Sequence, residues 1–303
     1  MRRGLVQVGV LFIVCLLVGD ELSVHGQTVA DRVPETLSNK SCPPSTVHDQ
    51  LPPGPEISIA GVSFSGALQM PVGDQEEIAE SVKRESHGNS VERVTNEALE
   101  KVRAGWQDRG YFKVLVSGQA RTLTNTPGNQ RIALFVNVDE GPQYRLGGIT
   151  FKNNRAISNA KALRRLFPIE DGDVFSREKI VKGLWNLRYA YLELGYLNFT
   201  GVPDTLFDDE GGAISLTIDV DEGKQFYVRS IDVRGPDDSA RQEMLKAFPV
   251  GKAYNARLFD LFLKKHPSLF QFSSDDPWHV TKQLDERTGT VAITLDAHPC
   301  PMN

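Results

Sequence analysis

The sequence predicts an α+β fold of three tandem β-α-α-β-β units in an elongated array. Apolar and polar residues alternate along Ile214–Val220, and the same alternation occurs at Ile132–Val138 and Val291–Leu295. A period of two is typical of a half-buried strand. A second strand-like run recurs at nearly constant spacing, ending at Gly66, Asn153 and Gly235. Because both patterns return in the same order, they indicate an internal repeat.

The repeat places the unit boundaries at residues 56–142, 143–224 and 225–303. The central copy, Tyr144–Gly223, is the most complete of the three. The third is divergent, since its second helix runs into His266-Pro267 and proline ends a helix. We expect its second strand near residues 278–284, followed by a turn at Arg287–Gly289.

Residues 1–26 resemble a secretory signal peptide. Arg2 and Arg3 precede an uncharged apolar run over residues 8–18, and Asp20 follows it. This run is shorter than the about 20 residues that span a bilayer, so we predict export and cleavage after Gly26. An uncleaved membrane anchor is the alternative.

Residues 27–55 are rich in proline and lack apolar periodicity, which predicts a flexible linker. After cleavage two cysteines remain, Cys42 and Cys300. An even number in an exported protein permits one disulfide. Pairing would require the array to curl, so whether Cys42 and Cys300 form a disulfide stays open.

Composition argues against two classes of function. The net charge of −5 argues against a nucleic-acid-binding surface, which needs clustered lysine and arginine. The histidines never occur at metal-ligand spacing such as His-Glu-x-x-His, so we expect no metal and no cofactor.

The first unit is predicted to hold a helix over residues 75–85 and a longer one over 91–106, whose apolar residues recur every three or four positions. Gly110 suits the left-handed position after that helix. A strand is expected to begin at once at Tyr111. A turn at Thr126–Asn129 then leads into the Ile132 strand.

The second unit repeats this order. Helices are predicted over residues 158–167 and 176–194, with Gly195-Tyr196 in place of Gly110-Tyr111 and a turn at Asp208–Gly212. The longer helix should bury one apolar face, composed of Ile180, Leu184, Leu187, Tyr191 and Leu194.

Two groups of polar residues could carry chemistry. Ser176 and Lys179 fit the Ser-x-x-Lys pattern of some acyl-enzyme hydrolases, but Ser176 also stands where a helix N-cap is expected. Asp139-Glu140 and Asp221-Glu222 are expected to be solvated linker charges beside glycine. We therefore predict no catalytic residues and no enzyme activity.

Four short motifs recur in register across residues 56–298. They are the β-α-α-β-β order, Gly-Tyr after the second helix, Gly172-Asp173-Val174-Phe175 before it, and Glu-Gly at Gly141 and Gly223. Together they resemble POTRA domains, the polypeptide-transport-associated repeats of the BamA-like outer-membrane assembly factors. The resemblance implies a periplasmic protein associated with the outer membrane.

The resemblance also implies a binding site. POTRA domains receive client segments along the edge strand that follows Gly-Tyr, which here gives two sets of candidate residues: Phe112, Val114 and Val116, and Leu197 and Phe199. One side of each strand must pack under the helices, so about half of the apolar residues in these runs are expected to be core residues instead. Gly110, Tyr111, Gly195, Tyr196, Gly141 and Gly223 would be structural.

The favoured function is therefore a non-enzymatic scaffold that binds extended polypeptide by strand addition. Its partner would be an outer-membrane β-barrel protein or an unfolded outer-membrane client, with only indirect membrane association. Because few residues follow Leu295, we expect no barrel in this chain itself. A soluble truncated relative of a translocator and a Ser-Lys hydrolase are the alternatives.

Overall fold

The computed structural model describes residues 56–126, 128–234, 238–265 and 280–296. Within them the α+β fold class and the repeated unit are confirmed: three separate sheets follow one another along the chain, each accompanied by two helices. The elongated arrangement stays a prediction.

Repeat one contains strand β1 (Glu56–Ser65), helix α1 (Val72–Glu85), the short strand β2 (His87–Gly88) and helix α2 (Val91–Gln107). Strands β3 (Leu115–Thr126) and β4 (Asn129–Asp139) follow. The sheet order is β2-β1-β4-β3, with β1 parallel and β3 antiparallel to β4.

Repeat two contains β5 (Arg145–Lys152), the short helix α3 (Ala160–Arg164), α4 (Arg177–Glu193), β6 (Thr200–Asp208) and β7 (Ala213–Asp221). Its sheet order is β5-β7-β6, and β5 is parallel to β7.

Repeat three contains β8 (Tyr227–Arg234), α5 (Asp238–Ala247), α6 (Ala256–Lys265), β9 (Val280–Asp285) and β10 (Thr290–Asp296). Its sheet has the order β8-β10-β9. In all three repeats the last strand is therefore central and the strand after the second helix lies at an edge.

Each last strand buries alternate side chains, as the period of two predicts. The buried residues are Ile132, Leu134, Val136 and Val138 in β4, Ile214, Leu216, Ile218 and Val220 in β7, and Val291, Ile293 and Leu295 in β10. In repeat one they pack with Val94, Ala98, Val102 and Trp106 of α2 in one hydrophobic core. On the opposite face of β4, Arg131, Phe135 and Asn137 are exposed.

The structure corrects three details. The strand after α2 begins at Leu115, not at Tyr111, because a turn occupies residues 111–113 and the amide of Val114 donates to Tyr111 O at 3.1 Å. His87–Gly88, between the two predicted helices and not predicted as a strand, pairs with β1 as β2. Leu194, expected on the buried face of α4, is 40% exposed because α4 ends at Glu193.

No described helix combines the length and the apolar character that crossing a membrane requires.

Candidate functional site: free sheet edges and the joints between repeats

Each sheet has one edge that the chain itself partly occupies. His87–Gly88 pairs with β1, while Arg145 at the start of β5 bridges to Val174 and Tyr227 at the start of β8 bridges to Ala253. The amides of Gly172 and Gly251 extend these contacts by donating to Leu146 O and Val228 O. At the opposite edges, β3, β6 and β9 each pair with one strand, and no strand among the described residues pairs with their outer side.

The candidate residues of repeat one lie mostly before the free edge. Phe112 and Val114 belong to the turn that precedes β3, and Val114 is only 4% exposed. Val116 lies within β3 and packs against the core. Their role in client binding stays a prediction.

Leu197 and Phe199 occupy the equivalent turn before β6. Leu197 packs against the core of repeat three, and Phe199 is buried and stacks on Tyr191 with ring centroids 4.3 Å apart. The amide of Phe199 donates to Tyr196 O at 3.2 Å. A proline at Val114 or Phe199 would therefore break a turn hydrogen bond as well as alter the edge.

The Gly-Tyr motif forms the joint to the following repeat. The amide of Tyr144 donates to Gly110 O at 2.8 Å, and the amide of Phe226 donates to Gly195 O at the same distance. Gln143 and Gln225 add matching side-chain hydrogen bonds to Arg109 O and Leu194 O. Gly110 and Gly195 have φ of +89° and +88°, the left-handed conformation that favours glycine.

The tyrosines of the motif pack beside these joints. Tyr111 is buried in the core of repeat one, and Tyr196 lies edge-on to Tyr191 at 5.8 Å between centroids. Burial raises the pKa of both phenols. Gly141 and Gly223, at the Glu-Gly positions, also have positive φ, +64° and +65°.

Glu140 is buried, which contradicts the expected solvated linker charge. It is 2% exposed and accepts hydrogen bonds from the Trp106 indole at 2.9 Å, from the amide of Gln69 at 2.6 Å and from the amide of Met70 at 3.2 Å. The carboxylate therefore ties α2 and the β1–α1 loop to the end of β4. Glu222 is half-buried and accepts from the Tyr191 hydroxyl at 3.2 Å.

A second cluster closes the joint between repeats one and two. The Phe112 ring lies 5.3 Å from Phe175 and 5.5 Å from Phe207. Beside it, Lys113 Nζ lies 2.7 Å from Asp209 Oδ1, which also accepts from the Tyr144 hydroxyl at 2.5 Å. Phe112 is thus an inter-repeat contact in this structure.

The Lys113–Asp209 pair shifts the acidity of both groups. The hydrogen bond from Lys113 lowers the pKa of Asp209 below its ordinary value of 3.8, and the same contact raises the pKa of Lys113. Since the carboxyl pKa is lowered on folding, the pair stabilises the fold above pH 3.8, and that contribution disappears as pH falls through the folded pKa.

Replacing Lys113 by methionine should raise the pKa of Asp209 toward its ordinary value. The substitution removes the donor while it keeps much of the aliphatic chain beside Phe207, over whose ring Lys113 Nζ lies at 4.6 Å. An NMR titration of the Asp209 carboxyl measures the shift. An unchanged pKa in the Lys113→Met protein would show that the two groups do not pair in solution.

Helix α4 is capped from both repeats. The amide of Lys179 donates to Ser176 Oγ at 3.2 Å, as the N-cap interpretation predicted, and the amide of Glu178 donates to Asp108 Oδ1 at 2.5 Å. Burial raises the pKa of Asp108. Ser176 is itself buried. Its hydroxyl therefore has a structural role that accounts for the Ser-x-x-Lys spacing.

Ser176→Ala should destabilise repeat two by about 1 kcal/mol, the usual cost of losing a side-chain N-cap. Chemical unfolding followed by circular dichroism measures it, with Ser158→Ala as the control at an exposed serine ahead of α3. Equal stability of the two variants would show that the Ser176 side chain does not stabilise α4 as its N-cap. We also expect no labelling of the wild-type chain by serine-directed hydrolase probes.

Cys42 and Cys300, the candidate disulfide, lie outside the described residues, as do residues 1–55. Sequence reasoning missed Asp108, Lys113 and Asp209, and it predicted the wrong environment for Glu140. Their partners lie tens of residues away in the chain, so local pattern carries no sign of them; only the position of Glu140 directly before a joint glycine marked it.

Comparisons with known proteins agree with this architecture. Residues 144–223 match the profile of the POTRA family, described as surface antigen variable number repeat. The match coincides with the central copy, Tyr144–Gly223.

Two curated relatives are outer-membrane assembly factors by name. A Treponema pallidum protein named as an outer membrane protein assembly factor is 26% identical over 177 residues, 57% of this chain and 21% of its own length. Outer membrane protein assembly factor BamA of Buchnera aphidicola is 22% identical over 169 residues, 55% of this chain and 27% of its own. The chain thus matches about a quarter of the length of these relatives.

Among solved structures, the crystal structure of Haemophilus influenzae BamA POTRA3-5 superposes with a TM-score of 0.58. The superposition covers 82% of this chain and 98% of that one at 19% identity. At this identity the likeness shows the fold, three consecutive POTRA-type units.

Proposed function

We propose that this POTRA-domain chain is a non-enzymatic periplasmic scaffold for outer-membrane protein assembly, and that the free edges of its sheets bind extended polypeptide by strand addition. The observation that carries the proposal is the repeated asymmetry of the sheets. In every repeat one edge is partly occupied by the chain itself, whereas β3, β6 or β9 lies at the other.

Edge strands present unpaired backbone N–H and C=O groups, which an extended segment can satisfy. Main-chain hydrogen bonds supply affinity in this mode, and alternate side-chain contacts supply selectivity. The names of the relatives support outer-membrane assembly as the setting, and periplasmic location and a client or partner from the outer membrane are part of the proposal.

The test compares two peptides of one sequence, alternating valine and threonine, one of which is N-methylated at every second residue. Methylation removes the donors that strand addition needs and leaves the side chains in place. Fluorescence anisotropy of labelled peptide against the full chain should give saturable binding for the first peptide and at least about tenfold weaker binding for its methylated twin. Equal affinities, or binding of neither peptide, would contradict the proposal.

A further inference from the structure

The three free edges differ in how well they could accept a partner strand. Strand β3 has 12 residues, no proline, and an uninterrupted register with β4 from Leu115 to Thr122. Strand β6 has 9 residues and contains Pro203, which lacks an amide N–H, together with Asp204 and Asp208. Strand β9 has only 6 residues. Proline and shortness are devices by which proteins protect sheet edges.

Arg121 is the single charged residue in β3, and it lies on the solvent-facing side of the sheet. Gln119 and Arg121 are exposed there, and Gln119 lies opposite Phe135 of β4. Gln119, Ala120, Arg121 and Phe135 line a shallow depression, in which the Phe135 side chain is 46% exposed. An exposed aromatic ring therefore lies one strand in from the edge.

A second arginine extends this surface. Arg131 of β4 is exposed and lies opposite Thr124, on the same side of the sheet as Phe135, since both alternate with the buried residues Ile132 and Leu134. Among the described residues neither Arg121 nor Arg131 forms an ion pair at salt-bridge distance. Two arginines without an ion pair among the described residues, on the same face as an exposed aromatic ring, favour a ligand that carries an acidic and an apolar group.

We infer that β3 of repeat one is the principal client edge, and that it takes an extended segment carrying an apolar and an acidic side chain two residues apart. The spacing follows from the strand itself: Gln119 and Arg121 are two residues apart and point to the same face. The apolar side chain would lie beside Gln119 and the carboxylate beside Arg121, with Phe135 and Arg131 on the next strand of the same face. This inference rests on the proposed function and selects among its edges.

The test places a photoreactive benzoylphenylalanine in the full chain at one of three exposed edge positions: Gln119 in β3, Val202 in β6 or Gln283 in β9. The probe is the valine–threonine peptide with one threonine replaced by glutamate, and its twin has lysine at that position. We expect cross-linking mainly from position 119 and stronger binding of the glutamate peptide.

Charge reversal supplies the matched variants. Arg121→Glu with Arg131→Glu should weaken binding of the glutamate peptide by about tenfold and favour the lysine twin, because opposite charges across neighbouring strands attract and like charges repel. Arg229→Glu, at an exposed arginine on β8, should leave both affinities unchanged.

Four results would overturn the inference. Equal cross-linking from all three positions, or no preference between the peptides, would do so and leave strand addition itself intact. Cross-linking of position 119 to a second copy of the chain, in the absence of peptide, would show that this edge mediates self-association instead of client binding. If the chain binds neither the glutamate peptide nor its lysine twin, both the proposed function and this inference are contradicted.

Discussion

Replacing Glu140 by alanine is expected to lower the free energy of unfolding of repeat one by about 3 kcal/mol. The substitution removes the shared acceptor of the Trp106 indole and of the Gln69 and Met70 amides. Each buried donor left without a partner costs about 1–3 kcal/mol, and water entering the vacated space would recover part of this. Chemical denaturation of the full chain, followed by circular dichroism, measures the loss.

Two further variants separate the hydrogen bonds from a general effect of charge. Glu140→Gln keeps a carbonyl oxygen of similar position and should cost less than Glu140→Ala. Asp139→Ala removes a neighbouring carboxylate that is exposed, so it should change stability by no more than about 0.5 kcal/mol. If Glu140→Ala proves as mild as Asp139→Ala, the carboxylate does not hold these elements together.

Replacing Gly110 by valine should cost at least about 3 kcal/mol and open the joint between repeats one and two. A β-branched residue at positive φ costs about 1–3 kcal/mol by itself. A Cβ at Gly110 would also lie 2.9 Å from Tyr144 O and 2.8 Å from the Val174 side chain. Because the Tyr144 backbone forms the joint, relief of this overlap requires the next repeat to move.

Gly172→Val is the matched control for Gly110→Val. Gly172 has φ of +90°, nearly the same as Gly110, but an added Cβ there meets no atom within 4 Å. Gly172→Val should therefore lower the free energy of unfolding by the backbone strain alone. Unfolding free energies that are equal for the two variants would show that the close approach at Gly110 is unimportant.

The second joint offers the same comparison. At Gly195 an added Cβ would lie 2.9 Å from Phe226 O, whereas at Gly251, with φ of +82°, it would meet nothing within 4 Å. Gly195→Val should lower the melting temperature more than Gly251→Val. An unchanged melting temperature for Gly195→Val would contradict the placement of this glycine at the joint.

The sequence alone predicts the repeated architecture because its main determinants are local. The period-two apolar residues Ile132–Val138 and Ile214–Val220 become central strands, and the three-and-four spacing of Val94, Ala98, Val102 and Trp106 becomes the buried face of α2. Such patterns are repeated in each unit, so a helix or strand that is hard to assign in one copy can be assigned by comparison with the others.

The joints could not be predicted in the same way. Tyr111, Phe112 and Val114 have the apolar character of a strand, yet the turn after Gly110 continues to Val114 and turns Phe112 toward Phe175 and Phe207. Glu140 beside Gly141 resembles a polar linker until the fold brings Trp106 to it. Both outcomes depend on contacts between segments distant in the chain, which periodicity does not describe.

Hydrogen–deuterium exchange of the full chain, with and without a saturating extended peptide, tests the central claim most directly. Strand addition would give the outward backbone amides of an edge strand new acceptors and slow their exchange. We predict slowed exchange concentrated in β3, over Leu115–Thr122, with little change in the already paired amides of β4. Protection confined to the helices, or no change in β3, β6 or β9 while the peptide is bound, would contradict the account.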